Sequence, residues 1–366
     1  MKCINIIYFL SIIFILYILS VYYFKHKHKF WSQQPVTQNY KFNITEGIIT
    51  NNLITANKIS NKFKIQINNV NIKKLSDFLK NNYFLNNVNK YIYSVEFIKW
   101  LFNYNISFNK IITITDNTKI IGSITSKLNN IVYKDENIKL SYVDFLCVSN
   151  DYRNMRISPD LITNIANLNN LNNIKIFMFK IDKSPLPFRY ICKMTYYQLN
   201  FEDFECKNKE NKENKLKLIN DENLVNSYNF FNNNIKKYKL YPNYSLFEFK
   251  YYFVNDNILL FIKEDINREI IALSIIVKHT TFLNNKNINN FELLYYINNE
   301  DNNEFLEAII DYLKNIGKNL IVLDIMENKK FIDKYNFIKG MNCYYQMYNY
   351  NIVIPFYPNE VAINYI

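Results

Sequence analysis

The chain has 366 residues, enough for two domains or one large one. Its 49% hydrophobic share can build a substantial core, and the bias toward Asn, Ile, Lys, Tyr and Phe, with only 4 Gly, is one that an A/T-rich coding genome would produce without any functional demand. The formal net charge of +12 suits an anionic surface or a polyanionic cofactor, whereas the scattered Lys residues, without a stripe of stacked aromatics, argue against nucleic-acid binding.

The run from Ile6 to Phe24 is almost unbroken in its apolarity and long enough to cross a bilayer. It is long for a signal-peptide core and lacks a small-residue cleavage site. Lys25, Lys27 and Lys29 follow it while only Lys2 precedes it, so the positive-inside rule puts the rest of the chain in the cytosol. An extended segment, 30–45, comes next. Helical patterns follow at Ile72–Tyr83 and Val95–Phe102, then a hairpin-like stretch from Ile111 to Val148, a helix at Pro159–Leu168 and a strand at Ile174–Ile181. The charged, Gly-free spacer Lys207–Lys217 reads as a boundary. Beyond it lie a helical region Glu222–Tyr238, strands near Ile258–Lys263 and Ile270–Val277, an acidic-started helix Glu304–Asn315, a strand Leu320–Asp324 and a Tyr-rich end. These elements predict an α+β protein in four parts: 1–29, an anchor with its basic flank; 30–206 and 218–366, two domains; and 207–217, the spacer.

Five cysteines, Cys3, Cys147, Cys192, Cys206 and Cys343, are odd in number and share no metal-ligand spacing, which indicates free thiols in a reducing compartment. His26 and His28 belong to the basic flank and His279 stands alone, so no metal is expected and the chemistry is expected to run without histidine.

Four stretches, in order, resemble the N-myristoyltransferase family. Phe30-Trp31-Ser32-Gln33-Gln34-Pro35-Val36 is similar to F-W-x-x-Q-P-V. Phe145-Leu146-Cys147-Val148, followed by Arg153-Asn154-Met155-Arg156-Ile157-Ser158-Pro159, is similar to N-F-L-C-V and R-S-K-R-L/V-A-P without a gap. Leu323 to Lys329 resembles A-L-D-L-M-E-N-K, and Asn342 to Asn349 resembles a Tyr-rich final strand. The resemblance runs from about Lys29 onward. It implies two tandem GNAT-like acyl-CoA N-acyltransferase domains after the transmembrane helix read above, the first binding myristoyl-CoA and the second supplying most of the peptide groove. It also implies transfer of myristoyl to an N-terminal glycine amine, with no permanently bound cofactor and with a monomer expected.

The resemblance implies residue roles as well. The backbone N–H groups of Phe145 and Leu146 would form the oxyanion hole, although Phe-Leu-Cys-Val is also ordinary buried-strand vocabulary. Lys29, Phe30, Trp31, Cys147, Val148, Arg153, Asn154, Arg156, Ile157, Ser158 and Pro159 would meet the coenzyme; Trp31 suits an interfacial aromatic belt equally well. The terminal carboxylate of Ile366 would accept the amine proton. Tyr83, Tyr91, Tyr93, Tyr190, Ser274 and Asn342 would line the peptide groove, or serve as core residues in a chain rich in Tyr. Departures gather on the peptide side. Asp144 stands where Asn is usual. Phe84 to Asn87 replaces an acidic loop, and Lys339-Gly340-Met341 replaces Gly-Asp-Gly. The Thr and Gly beside the amine site are replaced within Met178–Lys180, and Ile191-Cys192 stands where a His is usual. They lead to the expectation of an enzyme that no longer favours lysine downstream of the glycine. A binding protein without turnover and a transferase of another acyl chain or acceptor are the alternatives.

Overall fold

The computed structural model describes residues 2–53, 63–83, 90–204, 216–219, 222–283, 286–300 and 302–365. In chain order its elements are helices α1 (Lys2–Lys27) and α2 (Lys29–Ser32), strands β1 (Gly47–Ile48) and β2 (Lys64–Ile67), α3 (Ile72–Asn82), β3 (Lys90–Ile92), α4 (Val95–Asn103), β4 (Lys110–Asp116), β5 (Lys119–Tyr133), β6 (Glu136–Val148), α5 (Ile157–Asn170), β7 (Phe177–Asp182) and β8 (Tyr190–Asn200). There follow β9 (Lys217–Leu218), α6 (Leu224–Ile235), β10 (Leu240–Pro242), α7 (Leu246–Phe253), β11 (Ile258–Glu264), β12 (Ile270–Leu283), β13 (Lys286–Asn298), α8 (Glu304–Lys314), β14 (Asn319–Leu323), α9 (Lys329–Ile332), β15 (Ile338–Tyr348) and β16 (Tyr350–Asn351).

Local chemistry sets the helix starts. The Asn71 side chain accepts the Lys74 amide ahead of α3, Ser94 accepts that of Phe97 ahead of α4, and Ser245 and Glu248 form a reciprocal capping box on α7. Helix α8 carries Glu304 and Glu307 in its first turn and Lys314 in its last, the arrangement its dipole favours. Its Phe305, Ile309 and Leu313 recur at helical spacing and are buried against β11–β14. On helix α1, Ile6 and the residues from Tyr8 through Leu16 are exposed. Tyr17 then donates to the Tyr40 carbonyl at 3.0 Å, and Phe24 packs edge-on to Tyr40.

One mixed sheet runs β2-β4-β5-β6-β7-β15-β8-β14-β13-β12-β11-β9, with β10 added on β5 and β3 on β12. The sheet is continuous across the expected boundary: β15, from the second half, sits between β7 and β8 of the first. Most of the spacer, 207–215, lies outside the described residues, and its last residue, Lys217, already pairs with β11. Strands β8 and β13 and helix α7 are additions to the sequence reading.

Two neighbouring pairs are parallel, β6 with β7 and β13 with β14. The β6–β7 pairing covers only Ser141–Tyr142 against Phe177–Met178. Beyond Tyr142 the two strands share no further ladder. The opening between them, lined by Asp144 and its successors on one side and by Lys180 and Asp182 on the other, holds the site. The largest apolar cluster joins both halves beneath it, through Phe145, Met178, Tyr295 and Tyr345 among others.

Candidate functional site

A cavity of ≈ 780 Å³ fills the opening. Its β6 wall is irregular. Phe145 has φ of +50°, and the register of β6 against β5 shifts between Ser123 and Thr125, so a bulge turns the backbone out of the ladder. A phenylalanine holds this left-handed conformation only under tertiary constraint. Its ring is wedged among Tyr83, Tyr93 and Phe102, and its carbonyl accepts the Ser123 hydroxyl at 2.9 Å. The Thr125 hydroxyl donates to the Asp144 carbonyl at 3.0 Å on the other side of the bulge. The Phe145 amide, thus turned, donates to Oδ1 of the half-buried Asp144 at 2.7 Å. The Tyr83 hydroxyl, at the end of α3, donates to the same oxygen at 3.2 Å. Burial raises the Asp144 carboxyl, against the pull of the Phe145 amide, Lys180 and Lys127.

Beyond the bulge the wall continues through Leu146, Cys147 and Val148 to Arg153 and Ser158. Arg156, at φ of +59°, precedes α5, which starts without a side-chain cap. The first amides of α5, those of Ile157 and Ser158, therefore meet no capping side chain, and Pro159 has none to offer. This end suits an anion.

The opposite wall carries charge in an apolar setting. Lys180 Nζ lies 3.8 Å from Glu292 Oε1, and Glu292 Oε2 lies 3.1 Å from His279 Nε2. Burial raises the Glu292 carboxyl, but Lys180 and His279 outweigh it and hold the group down at about 2. These residues come from β7, β12 and β13, strands that share no local motif. The one available signal is a lone charge breaking an apolar run, as in Phe291-Glu292-Leu293-Leu294. His279, the lone histidine outside the basic flank, stands in the cavity wall.

The structure brings together Phe145, Leu146, Cys147, Val148, Arg153, Ser158, Tyr83 and Tyr93. The remaining assignments fall elsewhere. Trp31 packs on Phe188 at 5.0 Å in a separate apolar cluster, taking its neighbours Lys29 and Phe30 with it on α2. Ile157 is buried beneath the sheet against Gly122, while Asn154, Arg156 and Pro159 flank the cavity mouth without lining it. Tyr190 packs on Tyr344, and Asn342 Oδ1 accepts the Thr195 hydroxyl. Ser274 is fully buried, off the cavity. The side chain of Tyr91, the segment Phe84–Asn87 and Ile366 lie outside the described residues; Tyr365 lines the cavity. Among the described residues no group of His, Cys, Asp and Glu is placed to hold a metal ion. Burial pushes the Cys147 thiol up to about 12, against the opposing Arg153, so it stands beside the bulge as a neutral thiol.

The sequence model described as Myristoyl-CoA:protein N-myristoyltransferase, N-terminal domain, matches residues 50–189. The chain is 27% identical over 168 residues to the glycylpeptide N-tetradecanoyltransferase of Drosophila melanogaster, a stretch that is 40% of this chain and 34% of that protein. It is 26% identical over 168 residues to glycylpeptide N-tetradecanoyltransferase 2 of Bos taurus, 41% of this chain and 33% of that one. The chain thus spans about one third of the length of these relatives. Its fold is similar to that of Saccharomyces cerevisiae N-myristoyltransferase with bound myristoyl-CoA, with a TM-score of 0.78 and 17% identity over 90% of this chain and 94% of that chain.

Proposed function

We propose that this chain, a divergent member of the N-myristoyltransferase family, transfers the myristoyl group of myristoyl-CoA to the amine of an N-terminal glycine. The observation that carries the reading is the continuity of one cavity from the turned-out amide of Phe145 to Arg153 and Ser158 at the head of α5. A thioester whose carbonyl lies at the bulge would send its coenzyme phosphates toward that helix. The amine nitrogen bonds to the carbonyl carbon, the C–S bond breaks, and coenzyme A leaves as a thiolate that takes up a proton. The N–H groups of Phe145 and Leu146 meet the charge on the carbonyl oxygen, the kind of interaction that typically contributes about 2.7–4 kcal/mol to the barrier. The proton lost by the amine passes to a general base. The neutral Cys147 favours direct transfer over an acyl-cysteine intermediate. In this reading residues 30–206 hold the acyl donor and 218–366 most of the peptide, within a monomer.

The full chain in detergent, mixed with myristoyl-CoA and peptides starting with Gly or Ala, tests this. Expected are free coenzyme A, a myristoyl mass on the Gly peptides alone, and an unchanged protein mass when the peptide is omitted. Saturable myristoyl-CoA binding without product would instead favour a binding protein without turnover.

The reading also places α1 in a membrane with the remainder on the cytosolic side. Residues Tyr8–Lys27 have a mean hydropathy of 1.7, and none of that window is buried in the fold. Lys25 and Lys27 close its C-terminal end and Lys29 follows it. The full chain should resist an alkaline carbonate wash of cell membranes, and a chain lacking residues 2–27 should be released. Release of the full chain would remove the anchor from the reading.

A further inference from the structure

We propose that the Tyr83 hydroxyl completes the oxyanion site with the Phe145 amide, and that the Asp144 carboxylate rests in that site as an internal plug which must leave or take up a proton before acyl transfer. The inference rests on the transferase reading above.

The geometry is a convergence. Two donors from separate elements, the bulge of β6 and the end of α3, meet on a single oxygen, Asp144 Oδ1, at 2.7 and 3.2 Å. An anionic oxygen held by two fixed donors at a cavity wall stands in for the oxygen that gains charge in the transition state. Neither donor is free to retreat. The Phe145 amide is fixed by the strained φ and the buried ring, and Tyr83 packs on both Phe145 and Tyr93. Burial, with the Asp144 charge adding to it, raises the Tyr83 hydroxyl well above its ordinary range, so it remains a donor.

While ionised, Asp144 opposes the reaction in two ways. Its oxygen occupies the donors that the thioester oxygen needs, and its charge repels the charge forming there. Protonation removes the repulsion and weakens its hold on both donors. The groups around it act in opposite senses. Lys180 of β7 and Lys127 of β5 favour the carboxylate, while Asp182 of β7 disfavours it; Tyr83 and Tyr142 face it as neutral hydroxyls. Burial outweighs the cations and raises the carboxyl above its ordinary range.

The test is single-turnover transfer by the full chain, in detergent, from myristoyl-CoA to a Gly-start peptide across a pH series. Asp144→Asn, isosteric and uncharged, should be about tenfold faster than the parent chain or more at neutral pH, a fraction of the 10²–10³ typical of a whole oxyanion donor. The ratio of the two rates cancels the titration of the acceptor amine. It should fall toward one as the pH drops through the raised titration range of Asp144, which a purely structural role would not produce. Adding Tyr83→Phe to Asp144→Asn should remove at least about tenfold of the rate. Should Asp144→Asn fail to fold, Asp144→Ser carries the same expectation. A parent chain that transfers, with variants no faster or a ratio flat in pH, overturns the plug and leaves the transferase standing. Bound myristoyl-CoA with no transfer by parent or variant overturns both.

Discussion

Lys180→Met should cost the fold up to about 3–5 kcal/mol, read as a lowered urea midpoint, because it takes the lysine charge from a buried carboxylate and leaves that carboxylate to His279. Lys180 and Glu292 lie opposite each other across the cavity wall with side chains only 15% and 16% exposed. At 3.8 Å the contact is an ion pair, held by charge and not by a hydrogen bond. Burial lowers the Lys180 ammonium, yet Glu292, Cys343, Asp182 and Asp144 outweigh it and raise the group, in agreement with the depressed Glu292. The sign with pH follows. A carboxyl held at about 2 in the fold, against about 4.3 when unfolded, contributes stability above the unfolded value and loses it as the pH falls through the folded one. In Lys180→Met the Glu292 carboxyl climbs, so the deficit should be largest near neutral pH and should shrink below about pH 4. The double variant Lys180→Met, Glu292→Leu should recover most of the loss, since it removes both charges from an apolar wall. A single variant with the parent's midpoint at pH 7 would show that the pair contributes nothing.

The same pair illustrates what the sequence withheld. Strand period places Met178, Lys180 and Asp182 on one face of β7 and Phe177 and Phe179 on the other, a parity readable in principle. Yet nothing local says that the charged face of β7 meets Glu292, which is more than a hundred positions away. Parity also explains why Ser274 is lost from the site. On β12, Leu273, Ile275 and Val277 face the central cluster with His279 further along, whereas Ala272 and Ile276 face the cluster under α8; Ser274 falls with the second set. A one-residue offset in aligning a strand moves a side chain to the wrong face. The oxyanion motif, Phe145-Leu146-Cys147-Val148, is legible in the sequence, and so is the Asp144 departure. That the Asp144 carboxylate folds back onto the next amide depends on the backbone turn at Phe145, which only the fold fixes. The motif Leu323–Lys329 was legible for another reason, because it is structural. Asp324 accepts the Thr195 amide at 2.7 Å, Met326 turns at φ of +56° with its own amide shared between Pro358 and Val361, and Asn328 closes back on the Leu323 carbonyl. Conformationally demanding turns constrain residue identity tightly. The coenzyme role of Trp31 rests on the motif Phe30-Trp31-Ser32-Gln33-Gln34-Pro35-Val36, and packing against Phe188 satisfies the same aromatic residue equally well.

Arg153→Glu should weaken myristoyl-CoA binding by roughly a hundredfold, the scale of one charge-assisted hydrogen bond lost with a repulsion added. Arg153 is exposed at the cavity mouth, on the turn between β6 and α5. An exposed cation alone contributes little, since water and salt screen it. What raises its expected effect is its setting. The uncapped start of α5 presents the Ile157 and Ser158 amides, and the left-handed Arg156 orients that start, so a phosphate there would meet aligned donors and the positive helix end together. The loss should fall on the KM for acyl-CoA, with kcat at saturation and the KM for peptide nearly unchanged, because the contact lies on the donor and remote from the reacting carbon. Titration calorimetry should show binding by the parent weakening steeply with added salt and binding by the variant weakening much less. Unaltered affinity in Arg153→Glu would mean that the phosphates leave the cavity elsewhere, and the assignment of the α5 turn to the coenzyme would fall while the bulge at Phe145 kept its role.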